Sequence, residues 1–302
     1  MEWVKKIDVH VHCVPMHDLP RANGSNYPLP SDLRRMYDQL NIERGILMPP
    51  GSAPEGTADR VSQREARLMY EQNPHVFAGW FCNLDPRQGG NNDKTDFGRY
   101  LRYYKAHGAR GVGEMTANLY LDDPRMMNLF SYCEAEEMPV LIHIGNLGND
   151  YGVVDDLHFP RLEKVLKAFP KLVVIGHSPK FWVELDGDVT LETREAMPQG
   201  NVRPGGAAVQ LMEQHPNLYC EFSSLSGGNA ILRDRKFTSW FLEKFQDRVL
   251  YGTDFHDANN LNQYDTYQKV SDFLEELAES GEISREAYCK ICRENAIRLL
   301  KL

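Results

Sequence analysis

The chain has 302 residues, 42% hydrophobic and 25% charged, which is enough apolar content for a large buried core and unlike a disordered segment. Its 43 acidic against 34 basic side chains leave a formal charge of −9, which argues against a nucleic-acid partner because phosphate binding needs clustered Lys and Arg. No apolar run approaches the roughly 18 residues of a membrane helix, and the N-terminus lacks a secretion-signal pattern, so a cytoplasmic protein without a membrane partner is expected.

In chain order, strand-like runs read as Lys6 to His12, Arg44 to Met48, Val76 to Asn83, Ala109 to Glu114, Val140 to His143, Leu172 to His177, Leu218 to Phe222 and Val249 to Asp254. Helical patterns fall between them at 31–40, 58–73, 95–107, 124–137, 160–169, 205–214 and 234–246, and two more follow at 265–280 and 284–300. Three helix-to-strand turns share one grammar: Asn73-Pro74-His75, Phe169-Pro170-Lys171 and His215-Pro216-Asn217. Proline cannot continue a helix and biases the residue before it toward extended geometry. Eight βα units of about 38 residues predict a single α/β domain over 1–302, a (β/α)8 TIM barrel with extra C-terminal helices. The long stretches 13–30, 84–94, 144–159, 178–204 and 223–233 read as loops leaving the strands, and in a barrel those loops build the active face.

Chemistry-bearing residues collect at that face. Asp8-Val9-His10-Val11-His12 ends the first strand run, and residues two apart in a strand share a side, so His10 and His12 can bind one cation. A His-x-His pair alone is weak, since about 0.3 arise by chance in such a chain. Leu141-Ile142-His143, Val174-Ile175-Gly176-His177 and Leu250-Tyr251-Gly252-Thr253-Asp254 also stand at strand ends, and imidazole with carboxylate is the ligand set of an open zinc-type site. Glu114, after Gly111-Val112-Gly113, is either a metal ligand or a partner for an Arg at the barrel mouth. Asp8 is expected beneath the ligands in a supporting role. Trp182 and His256, five and two residues from His177 and Asp254, are the expected substrate contacts, whereas His75, His107 and His215 precede strands and read as structural. The six scattered cysteines, including Cys289-x-x-Cys292 in a helical pattern, read as reduced thiols.

The Asp-x-His-x-His start, the Leu-Ile-His and Ile-Gly-His strands, the Tyr-Gly-Thr-Asp-Phe segment and the ending Glu294-Asn295-Ala296-Ile297-Arg298-Leu299-Leu300 together resemble the amidohydrolase superfamily, more closely its amidohydrolase-2 branch. The resemblance implies His10, His12, His143 and Asp254 as metal ligands. It implies Glu114 as a bridging ligand if two ions are held, Asp254 as the proton-handling residue, and His177 as a catalytic residue first and a ligand second. A divalent metal, Zn2+ first, with one or two ions per chain, would activate water against a small carboxylate, lactone, ester or amide. The alternatives are a non-oxidative decarboxylase of an unsaturated acid and a non-catalytic metal or ligand binding barrel. A nuclease of similar ligand set is disfavoured by the acidic charge. A small-molecule substrate is expected, and self-association is left open.

Overall fold

The computed structural model describes residues 3–49, 61–148, 151–259 and 261–302. In chain order its strands are β1 (Lys6–Val11), β2 (Ile42–Leu47), β3 (Phe77–Cys82), β4 (Ala109–Met115), β5 (Val140–Gly145), β6 (Val153–Val154), β7 (Val174–His177), β8 (Leu218–Glu221) and β9 (Val249–Leu250). All but the short β6 fall on the eight runs expected from sequence, and helices separate them, giving the α/β TIM-barrel class. Among the described residues two compact units are distinguished, one holding 3–49, 61–80, 221–259 and 261–302 and the other 81–148 and 151–220.

In the first unit β1 pairs in parallel with β2, with Asp8 beside Gly45, and β2 pairs with β3, with Ile46 beside Gly79. Every residue of β1 is buried, as expected of a parallel strand covered on both faces. Residues 251–255 return along β1: Val9 N–H donates to Tyr251 O at 3.0 Å, Asp254 N–H to His10 O at 2.8 Å and His12 N–H to Phe255 O at 3.0 Å. The run expected as one strand to Asp254 is regular only at Val249–Leu250, and Asp254 itself takes a left-handed backbone (φ +54°).

In the second unit β4, β5, β7 and β8 follow one another as parallel neighbours. The β5–β7 register sets His143 beside His177. The two-residue β6, inside the stretch expected as loop 144–159, pairs Val153 with Ile144.

The helices start where side chains can satisfy free N–H groups. Ser62 and Glu65 form a capping box for Gln63–Gln72, Asp123 caps Pro124–Ala135 and Asp234 caps Arg235–Lys244. The expected start of the first of these at 58–60 lies outside the described residues. Two helices fall where loops were expected, Pro179–Val183 and Ser224–Leu232. The second contains Gly227-Gly228, a loop signal by composition, and packing explains it. A Cβ on Gly227 would stand 2.4 Å from the Phe222 carbonyl carbon, and one on Gly228 2.5 Å from Thr266 Cγ2. Gly227→Ala is therefore expected to destabilise the fold by roughly 1–3 kcal/mol, read as a lower urea midpoint, and an unchanged midpoint would contradict this packing.

The last expected helix is three segments, Arg285–Cys289, a π-helical turn Lys290–Glu294 and Asn295–Leu300. The Ile291 carbonyl in that turn accepts the Tyr251 N–H at 3.1 Å, and the Asn295 amide donates to Gln246 O and Val249 O, so the segment anchors β9. All six cysteines are free and all but Cys289 are buried. Burial pushes the Cys82 and Cys292 thiols up to about 12, so the Cys-x-x-Cys pair carries helix-face and core thiols. Among the described residues no helix is long and apolar enough to cross a membrane.

Candidate metal centre

On β1 the two imidazoles are fixed by what their Nδ1 atoms meet. His10 Nδ1 lies 3.0 Å from Glu221 Oε1, and Glu221 is fully buried and further held by Ser223 N–H at 2.7 Å and Ser223 Oγ at 2.8 Å. His12 Nδ1 lies 2.9 Å from the Met48 carbonyl. A carboxylate and a carbonyl only accept, so each Nδ1 carries the proton and each neutral ring turns an Nε2 lone pair outward. Those two Nε2 atoms are 3.2 Å apart, and Asp254 Oδ1 is 3.2 Å from one and 3.6 Å from the other. Three acceptors closing on one point repel each other unless a cation lies among them. Nitrogen, nitrogen and carboxylate oxygen is the donor set that divalent ions of the zinc series take, so these residues fit a metal.

Asp254 is held from its backbone outward. Its N–H is bound to His10 O, and its carbonyl accepts Gln263 Nε2 at 2.5 Å and faces His256 Nδ1 at 2.7 Å. Burial works to raise its carboxyl, but the charge of the facing His256 outweighs it. Asp254 is thus kept ionised, well below the usual carboxylate range. His256 responds in the opposite sense: burial works to lower it, the facing Asp254 carboxylate outweighs that, and its pKa is raised.

Asp8 stands outside this cluster. It accepts from His10 N–H at 3.1 Å, Thr253 N–H at 2.9 Å, Thr253 Oγ1 at 2.6 Å and Tyr37 OH at 2.9 Å, stapling β1 to the returning segment. Burial pushes its carboxyl up to about 6 despite these bonds. Gly45 makes room for the Tyr37 hydroxyl, since a Cβ there would meet it at 2.1 Å.

The second unit carries its own cluster. Glu114, at the end of β4, has Oε1 2.6 Å from His143 Nδ1 and 3.4 Å from His177 Nε2, while the Tyr151 hydroxyl donates to its Oε2. The donor atoms of Glu114, His143 and His177 lie within 4.8 Å of one another, a grouping that can hold a metal ion. His177 thus stands among potential ligands, the role that sequence placed second. Asn83 Nδ2 donates to the Glu114 carbonyl at 2.9 Å.

The two expected substrate contacts part ways. His256 is half-buried beside Asp254. Trp182 is only 1% exposed and meets Phe181 edge-on at 5.5 Å. The apolar Pro179–Val183 helix packs it inward, with Phe181 over Gly176. Glu221, Ser223 and Tyr151 were not singled out from sequence. Glu221 ends a strand, as the other candidates do, and that rule would have found it; Ser223 and Tyr151 carry no comparable signal.

The amidohydrolase family model matches residues 7–302. The chain belongs to the amidohydrolase family. Its fold is also that of several solved structures. A probable 2-pyrone-4,6-dicarboxylic acid hydrolase from Acinetobacter baumannii, with citric acid bound, shares 15% identity over 99% of this chain and 100% of that one, with a TM-score of 0.59. A dihydroxybenzoic acid decarboxylase from Polaromonas sp. JS666, with manganese and 2-nitroresorcinol bound, shares 18% over 99% and 98%, with a TM-score of 0.54. A 5-carboxyvanillate decarboxylase from Sphingomonas paucimobilis shares 13% over 99% and 100%, with a TM-score of 0.59. Comparison with curated proteins finds none that matches. Amidohydrolase-2 proteins are enzymes, and both hydrolases and decarboxylases stand among these structural relatives.

Proposed function

We propose that this amidohydrolase is a metal-dependent hydrolase that uses an activated water on a small carboxylate, lactone, ester or amide. The observation that carries the reading is the convergence of His10 Nε2, His12 Nε2 and Asp254 Oδ1, with Glu221 and Met48 fixing the imidazoles as ligands. In this reading His10, His12 and Asp254 hold a cation, zinc before other divalents, and Glu114 and His143 are the further candidate ligands, for one or two ions per chain. Such a cation, when bound, lowers the pKa of a water ligand toward about 7 and polarises a substrate oxygen. Asp254, kept ionised, accepts the proton of the attacking water and returns it to the leaving group. His177 donates to the oxygen on which charge develops, and Tyr151 and Asn83 hold Glu114 in place. His256 steadies the Asp254 backbone and lies where substrate would pass. The reduced, buried thiols suit a cytoplasmic enzyme.

Decarboxylation of an unsaturated acid is the second reading, favoured by the decarboxylases among proteins of this fold. A panel of lactones, amides, esters and unsaturated acids, followed by acid release and by carbon dioxide evolution, tests both. Acid release without carbon dioxide supports hydrolysis. Carbon dioxide release assigns decarboxylation, and no metal-dependent turnover of any member overturns both.

Glu114 decides metal number. As a metal ligand, Glu114 predicts a second, weaker ion that Glu114→Gln loses while the first remains. Elemental analysis after metal loading checks this, and an equal ratio near one in both proteins would remove Glu114 from the centre.

A further inference from the structure

The loop leaving β1 carries a cation whose surroundings do not use it up. Arg21 is held by a tight turn, with Gly24 N–H on Arg21 O at 2.7 Å and Arg21 N–H on Ser25 O at 2.9 Å. Its guanidinium lies 4.4 Å over the Tyr27 ring, and the Tyr27 ring in turn is 5.9 Å from that of His12. One Nη2 donates to Ser25 Oγ. The nearest carboxylate, Asp257, three residues beyond Asp254, is 3.8 Å from that same nitrogen, too far for a hydrogen bond. The Nε is buried and meets no acceptor among the described residues. The side chain is 18% exposed and lines a hollow shared with Val14, His17, Asp18 and Tyr27. A guanidinium so placed has lost much of its water without gaining a full set of acceptors, and the stacking on Tyr27 fixes the plane of its donor fork.

We infer that Arg21 recognises a carboxylate of the substrate, with Tyr27 as its platform next to His12, and so selects small carboxylic acids. The inference rests on the proposed metal-dependent reading of the site, and it narrows the substrate class from any small electrophile to an acid. Arg21 is a specificity-determining residue here and takes no part in proton transfer. A planar, two-oxygen anion matches the fork in a way that an amide or ester does not.

The test is binding, measured by calorimetry on the full-length protein loaded with zinc, using succinate and benzoate against succinamide and benzamide. Wild type is expected to prefer the acids. Arg21→Met is expected to weaken the acids by roughly 10- to 100-fold and leave the amides unchanged, and Arg21→Lys to fall between. Arg203→Met, at an exposed position, removes the same charge and is expected to change nothing. Equal binding of the acids by wild type and Arg21→Met, or no preference for acids in wild type, overturns the inference. Circular dichroism confirms that each variant is folded. Metal content, measured on the same samples, separates this result from the fate of the metal reading, since Arg21 is no ligand and its variants keep the metal.

Discussion

Asp254→Asn is expected to lose turnover by about 10²- to 10⁴-fold while retaining most of its metal. Asparagine keeps an oxygen where Oδ1 stands, 3.2 Å from His12 Nε2, but cannot accept a proton from water at neutral pH. Asp254 is suited to that task because it is ionised in spite of its burial, so the substitution removes a function rather than a charge that was already neutral. The backbone that presents it is held by His10 O and Gln263, neither of which the substitution touches. Activity within about tenfold of wild type, with metal retained, would place the base elsewhere, and Glu114 would be the first residue to examine.

Replacing His10 and His12 together by Ala is expected to abolish stoichiometric divalent metal. The loss should also appear as stability: a ligand at about 100 times its Kd stabilises the native state by roughly 2.7 kcal/mol, so zinc should raise the Tm of wild type and not that of the double variant. Glu221→Gln is a milder form of the same experiment. It keeps the shape but weakens the acceptor that fixes the His10 tautomer 3.0 Å away, and is expected to cost 10- to 100-fold in metal affinity. Full metal content in the double variant would refute the ligand assignment.

Much of this could be read from the sequence because the informative residues are local. A strand end with a two-residue period shows His10 and His12 on one side without any knowledge of the fold, and proline-marked turns locate the strands that follow. Other parts depend on contacts between residues far apart in the chain. Glu221 matters through His10, 211 positions away, and Tyr151 through Glu114, 37 positions away. Trp182 sits close in sequence to His177, but its burial depends on packing that the sequence does not show. The helix at Ser224–Leu232 reads as a loop by composition because its glycines follow from close packing against Phe222 and Thr266.

The most direct test is the metal content of wild-type protein purified without chelator, loaded with zinc or manganese, freed of excess and analysed by elemental mass spectrometry. At least one divalent ion per chain, removed by chelator and restored on reloading, is the result that the geometry of His10, His12 and Asp254 predicts. Less than about a tenth of an ion per chain after loading would mean that the three converging acceptors hold something other than a metal, and would contradict the account at its root.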